Sequence, residues 1–348
     1  MDTPAPLYRP VIITSIKEEV PGVKTFTLSY DDGGAILYAA GQFITFAFTH
    51  HGREERRSFS ISASPALNEP LCFTVKRIDN GAYSRLLVDR AAAGDKLLTT
   101  GVSGLFTLSS VSYEQVFFFA AGIGITPVYS LIKTLLHMDA LKKVVLLYSN
   151  RNREETVFYN ELQQLVVQFP DRFVIEYLYS TSFNLMRARL SKSLLPVLIG
   201  EYARVSKNKL FFYVCGPFSY MRMVLISLEE QGIHSDQVKK ENFNTNDRDV
   251  RKTEPADKAT HVATIKTNGN EYIVTVAYPD SILQAARKQG VSLPYSCETG
   301  RCGSCAARCT NGQVWLSYNE VLMDIDLKHG SILTCTGHPV NGDVTIEV

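Results

Sequence analysis

The stretch Pro294-Tyr295-Ser296-Cys297-Glu298-Thr299-Gly300-Arg301-Cys302-Gly303-Ser304-Cys305, answered further on by Leu333-Thr334-Cys335, decides how the rest of the chain is read. It spaces four thiols as C-x4-C-x2-C with a distant fourth, the arrangement by which one loop wraps a [2Fe–2S] cluster. Three thiolates on one loop must enclose a compact anionic group, and Gly300 and Gly303 let the backbone turn its amides toward the sulfurs. Cys297, Cys302, Cys305 and Cys335 are therefore the expected metal ligands. Zinc is the competing occupant, but zinc ribbons favour two C-x2-C pairs and only one is present. Cys309 reads as a small buried residue, because four ligands complete the cluster.

Outward from the cysteines, the spacing predicts strands at Val262–Thr267 and Tyr272–Val276. A helix follows, opened by Ser281 and Gln284 as a capping box and closed at Gly290. Strand, strand, helix and cysteine loop make a small α+β unit over 261–348. Ahead of it, Asn244 to Thr260 contains no large hydrophobe except Val250, which predicts a linker, assigned to 247–260. Residues 109–246 alternate strands and helices: Val116–Ala121, a glycine turn, and a helix from Thr126 with Pro127 in its first turn. Next come a strand at Lys143–Tyr148 and a helix at Val157–Val167, then a strand at Phe173–Leu178 followed by irregular sequence. Leu210–Cys215, a helix at Phe218–Gln231 and a strand at Val238–Phe243 complete an expected α/β doubly wound parallel sheet. Residues 1–108 carry short β-rich runs (Val11–Ile16, Thr25–Ser29, Phe43–Phe48, Arg57–Ile61 and Cys72–Arg77), the pattern of an antiparallel β-barrel. Gly101 to Phe106 reads as a domain junction.

Composition narrows the function. The 348 residues suggest two or three compact domains, and 36 basic against 35 acidic side chains leave no field to hold nucleic acid or an anionic membrane. The longest apolar run, Val116 to Ile125, is far short of the roughly 20 residues a bilayer requires. The N-terminus shows no basic leader or apolar stretch, so no secretory signal is expected and a cytoplasmic location follows. Five of the seven cysteines fall between Cys297 and Cys335, and in a reducing compartment such crowding points to metal.

Two further motif groups carry cofactor chemistry. Arg57-Ser58-Phe59-Ser60, followed by Gly81-Ala82-Tyr83-Ser84, resembles the flavin site of ferredoxin–NADP reductases. That resemblance implies FAD held by Arg57 at its pyrophosphate, Phe59 against the ring, and Ser60 near the hydride-accepting nitrogen. Ser58, Val75, Lys76, Gly81, Ala82, Ser84 and Phe243 complete the implied FAD set. Phe59 stands where the family usually has Tyr. Gly122-Ile123-Gly124-Ile125-Thr126-Pro127 resembles a Rossmann turn ending in proline, and Cys215-Gly216-Pro217 is similar to the family's nicotinamide-side motif. Gly122, Gly124, Thr126, Pro127, Ser149, Asn150, Arg151, Cys215, Gly216 and Pro217 are the implied nucleotide residues. Ser60, Cys215 and Glu241 are the candidate catalytic residues, Glu241 lying in the closing motif Glu241-Asn242-Phe243. No acidic residue ends the second strand, and Arg151 could pair a 2′-phosphate, so NADPH is favoured over NADH.

In domain order the chain resembles the reductase components of phenylacetyl-CoA epoxidase and of ring- or steroid-hydroxylating oxygenases. The resemblance implies a multidomain protein: FAD-binding barrel, nucleotide domain and β-grasp ferredoxin domain. It also implies electrons passing from NAD(P)H through FAD to the cluster and on to a partner oxygenase. The expected partner surface is the exposed rim around the cluster loop, including Glu298 and Arg301. A non-oxygenase acceptor such as a hybrid-cluster protein is the alternative, and a zinc-containing binding module a remote one.

Overall fold

The computed structural model describes residues 8–50, 53–243, 254–267 and 269–348. The expected linker 247–260 lies outside the described residues up to 253. Two compact units result. One comprises Arg9–Val102 and Phe106–Phe243; the other comprises the chain from residue 254 onward together with Ser103–Leu105.

The first unit opens with six strands, β1 (Arg9–Val20), β2 (Val23–Tyr30), β3 (Phe43–His50), β4 (Arg53–Ser60), β5 (Cys72–Lys76) and β6 (Lys96–Ser103), in the order β4-β3-β6-β1-β2-β5. Alternation drives them: Val11 and Ile13 point inward while Pro10 and Thr14 are exposed, and Phe26, Phe46 and Phe73 fill the interior. Each such ring contributes roughly 1.5–3 kcal/mol by leaving water. The outer strands β4 and β5 meet through an antiparallel bridge between Ile61 and Phe73. β6 runs through Gly101 to Ser103, so part of the expected domain junction is a strand; its earlier part, Lys96 to Thr99, pairs with β1.

Five parallel strands form the second sheet: β7 (Gln115–Ala121), β8 (Lys143–Asn150), β9 (Phe173–Tyr179), β10 (Leu210–Cys215) and β11 (Val238–Glu241), in the order β11-β10-β7-β8-β9. Every residue of β7 and β10 is buried, which is why both read as unbroken apolar runs. A short helix α1 (Ala82–Arg85) belongs to the barrel; α2 (Ile125–Met138), α3 (Tyr159–Gln168), α4 (Leu194–Tyr202) and α5 (Phe218–Glu230) accompany the parallel sheet. The segment after β9, expected to be irregular, contains α4. Pro196 and Gly200 disguise it in the sequence, yet proline is tolerated in a first turn and Leu194, Leu195, Leu198 and Ile199 give it a buried face.

The second unit is a mixed five-stranded sheet, β13-β12-β16-β14-β15, from β12 (His261–Thr267), β13 (Asn270–Val276), β14 (Ala306–Leu316), β15 (Ser331–Leu333) and β16 (Gly337–Glu347). β12 and β16 pair in parallel and the other pairs are antiparallel. Helix α6 (Ile282–Lys288) starts as expected: Ser281 Oγ accepts from the Gln284 amide at 3.3 Å, and Gln284 Oε1 accepts from the Ser281 amide at 3.0 Å. Its buried Ile282, Leu283, Ala285 and Ala286 join the core with Ala263, Ile265, Val344 and Ile346. A short helix α7 (Asp324–Lys328) precedes β15. Cys309 departs from expectation. It is only half-buried, on a bulge of β14, where its thiol donates to the Asn311 carbonyl at 3.3 Å.

Candidate functional site

The ends of β4 and β5, the loop into α1, the turn before α2 and the residue Phe243 beyond β11 surround a cavity of about 500 Å³ lined by Arg57, Phe59, Ser60, Thr74, Tyr83 and Phe243, among others. Arg57 is half-exposed, ion-paired with Glu55 at 2.7 Å, and its guanidinium stands 5.0 Å from the centre of the Tyr83 ring. Tyr83 in turn stacks on Phe48 at 4.3 Å. A Cβ on Gly81 would meet Ser84 Oγ at 2.4 Å, so the loop closes tightly there. Ser84 Oγ accepts from the Ile78 amide and donates to the Gly81 carbonyl, both at 3.1 Å, and so shapes the loop. A cation beside an aromatic layer and a glycine cradle fits a flavin dinucleotide. Val75 is the exception among the expected flavin residues. It is 2% exposed within the barrel core, and its neighbours Thr74 and Lys76 line the cavity instead.

A second cavity of about 750 Å³ lies along the carboxyl edge of the parallel sheet, lined by Gly122, Ser149, Asn150, Arg151, Pro217 and Tyr220, among others. Ile123 and Lys76 line both cavities. The Asn150 Nδ2 atom is buried there without a hydrogen-bond partner, an orphan donor suited to a nucleotide. Arg151 is 72% exposed with Glu155 at 3.6 Å. Thr126 borders the first cavity, its hydroxyl donating to the Ile123 carbonyl at 3.1 Å. Gly124, Pro127, Cys215 and Gly216 line neither cavity. Gly124 works from beneath: a Cβ there would lie 2.4 Å from the Cys215 carbonyl oxygen, so only glycine lets the two turns pass. Pro127 is buried within α2.

Three residues distant in sequence converge at the edge of the first cavity, which Ser60 lines. Ser60 Oγ donates to Glu241 Oε2 at 3.2 Å, and Cys215 is the register partner of Glu241 in the parallel β10–β11 pair. The Glu241 residue keeps some solvent contact, but its carboxyl is sunk among protein atoms. Burial pushes its pKa up to about 8, opposed by the Ser60 hydrogen bond. Burial, then the neighbouring Glu241, raises the Cys215 thiol well above its ordinary value, so it stays neutral.

In the second unit the four expected thiols pair off two and two. Cys305 Sγ lies 3.1 Å from Cys335 Sγ, and the Cys302 thiol hydrogen-bonds Cys297, lowering the latter's pKa. The Thr299 amide donates to Cys297 Sγ at 3.4 Å and the Ser304 amide to Cys302 Sγ at 3.5 Å. A single tetrahedral ion would draw four sulfurs to one point, whereas two bridged irons take two each. The pairing and the inward amides fit a [2Fe–2S] cluster, with Cys297 and Cys302 on one side and Cys305 and Cys335 on the other. Among the described residues no three His, Cys, Asp or Glu side chains are arranged to hold a single metal ion. The expected docking rim is corrected in part: Arg301 is 5% exposed, drawn inward by Glu320, while Glu298 is exposed and paired with Arg287 at 3.0 Å.

Residues that the motifs did not mark include Thr74, Arg189 and Tyr220 at the cavities and Glu320 beneath the cysteine loop. Thr74 is adjacent to the flavin residues in sequence and could have been found by strand alternation; the others carry no local signal.

Comparison with known proteins finds three domains in the same order along the chain. Residues 10–108 match the family model for the oxidoreductase FAD-binding domain, 118–225 that for the oxidoreductase NAD-binding domain, and 265–340 that for the 2Fe-2S iron–sulfur cluster binding domain. The chain is an oxidoreductase of the three-domain flavin and iron–sulfur reductase class, passing electrons from a nicotinamide nucleotide through FAD to a [2Fe–2S] cluster. It is similar to the ferredoxin reductase component of 3-ketosteroid-9-alpha-monooxygenase of Mycolicibacterium smegmatis, 27% identical over 96% of this chain and 95% of that one. It is also 27% identical to a component of the 1,2-phenylacetyl-CoA epoxidase of Escherichia coli, over 98% of this chain and 97% of that one. In fold it resembles phthalate dioxygenase reductase, with TM-score 0.58, 23% identity and 98% of both chains covered. It also resembles an intact type IV self-sufficient cytochrome P450 monooxygenase, with TM-score 0.70 and 20% identity, of which it spans 41%. No helix among the described residues is long and apolar enough to cross a membrane.

Proposed function

We propose that this reductase takes its electrons from NADPH and delivers them to a partner oxygenase in the reducing cytoplasm. The observation that carries the reading is the convergence of Ser60, Cys215 and Glu241 at the edge of the first cavity, which shares Ile123 and Lys76 with the second. Bound together, the nicotinamide supplies a hydride, FAD divides the electron pair, and the cluster forwards electrons singly.

The chain's own residues arrange this meeting. Ser60 donates to Glu241 and holds its carboxyl in place, and Glu241, neutral at pH 7, adds no charge that would repel electron-rich groups. Cys215 presents a neutral, fully buried thiol beside it and keeps water out. Arg57 offers its guanidinium to the flavin pyrophosphate, Phe59 its ring to the isoalloxazine, and Phe243 covers the approach. Gly122, Ser149, Asn150, Arg151 and Pro217 line the nucleotide's path, and Arg151 is the cation for a 2′-phosphate. The domain limits that suit these roles are 1–108, 109–246 and 261–348, joined by 247–260. The oxygenase partner is supported by relatives that are themselves monooxygenase and epoxidase components.

An anaerobic titration with NADPH, followed by visible absorption, tests the path. Flavin and cluster bands bleach together if the reading holds, and bleaching of the flavin alone overturns it. For the nucleotide, Arg151→Ala lowers the NADPH-over-NADH ratio of kcat/KM by about tenfold, the worth of one charge-assisted contact. An unchanged ratio refutes the role of Arg151.

A further inference from the structure

The cysteine loop carries a full positive charge into the protein interior. Arg301 lies between ligands Cys297 and Cys302, is 5% exposed, and places Nε 2.9 Å from Glu320 Oε2. The Glu320 side chain is itself only 13% exposed, and Tyr318 donates its hydroxyl to Glu320 Oε2 at 3.0 Å. The segment bearing this carboxylate clips both ligand-bearing stretches. The Glu320 amide donates to the Gly300 carbonyl at 3.0 Å, and the Ser317 amide donates to the carbonyl of Thr336, next to Cys335, at 2.9 Å. Gly300, at φ 75°, sits so close that a Cβ would lie 2.7 Å from the Tyr318 carbonyl oxygen. The Arg301 amide donates to Cys297 Sγ.

Nothing in the electron path described above uses this pair. Burying two charges is costly, and an apolar pair of similar volume would brace a loop as well or better. What an apolar pair would not supply is a fixed charge beside a group whose own charge changes by one with every electron it receives. In a poorly polarisable interior such a charge acts strongly.

We propose that Arg301 and Glu320 are positioning residues that act as a balanced charge pair, setting the reduction potential of the cluster held by the loop. Arg301 favours the more negative, reduced state, and Glu320 offsets it. The proposal rests on the cysteine loop holding a [2Fe–2S] cluster.

Mediated redox titration of the full-length holoprotein, read by the low-temperature paramagnetic signal of the reduced cluster, tests it. Glu320→Gln leaves the guanidinium uncompensated and shifts the midpoint potential upward. Arg301→Met removes the positive charge, keeps the carboxylate and shifts it downward. The double variant Arg301→Met/Glu320→Gln returns close to wild type. A merely structural role would move both single variants the same way, and that result, or no shift in either, overturns the proposal. Where a single variant loses its cluster, the double variant decides. A retained cluster at the wild-type potential supports the charge pair, and a lost one overturns it by showing that shape is what the pair supplies. Iron and sulfide are counted in each preparation. Their absence from wild type would refute the cluster itself, whereas full occupancy with unmoved potentials refutes only the role of the pair.

Discussion

At the scale of single residues, Glu241 carries the sharpest consequence. Its carboxyl is ordinary in the unfolded chain, near 4.5, and is raised to about 8 in the folded protein, chiefly by burial. Below the lower value both states hold the proton and the contribution is fully present. Between the two values the folded protein keeps a proton that the unfolded chain releases, so stability falls as pH rises, and above about 8 it is lost. Glu241→Gln therefore flattens this fall, which denaturant midpoints of wild type and variant across pH 5 to 9 reveal; parallel curves would sink the assignment. The same variant, uncharged like the protonated acid it replaces, keeps flavin reduction near the wild-type rate below pH 7 and removes the limb near pH 8 from its rate profile. Sequence alone marked Ser60, Cys215 and Glu241 only through family likeness. Their meeting spans 181 positions between Ser60 and Glu241, and no spacing rule reaches that far.

At the scale of elements, the turn between β7 and α2 shows how a local signal and a distant contact share one residue. Gly122 and Gly124 were legible as a tight turn between a buried strand and a helix. That Gly124 lies against the Cys215 carbonyl was not, because β10 arrives from far along the chain. Gly124→Ala places a methyl group 2.4 Å from that oxygen, so thermal unfolding is expected to show a loss of about 1–3 kcal/mol. Flavin reduction slows with it, because Cys215 must shift; a variant with native stability and rate would show that the two turns are loosely packed. Other elements divide the same way. The unbroken apolar runs of β7 and β10 and the capping box of α6 were visible, since each is written in neighbouring residues. Strand β6 and helix α4 were not: β6 buries Thr99 alone fully among half-exposed neighbours, and α4 hides behind a proline and a glycine.

At the scale of the whole molecule, the domains do separable work, and separation is measurable. Cys305→Ser removes a cluster ligand while leaving both cavities of the first unit intact, so the cluster's signal disappears. Reduction of a two-electron dye by the nicotinamide nucleotide stays within about twofold, and electron delivery to an oxygenase falls at least tenfold, since each cofactor carries its own chemistry. Loss of both activities together would contradict that division. The order of domains was determined by sequence alone, as were the spacing of the four candidate thiols and the flavin and nucleotide motifs, because loops and turns that wrap a cofactor are built from residues adjacent along the chain. Only the tertiary structure decided that Arg301 turns inward to Glu320, that Val75 faces the barrel core, and that Ser60 reaches Glu241. These contacts depend on which strands pack side by side, and close packing joins residues that the covalent order leaves far apart.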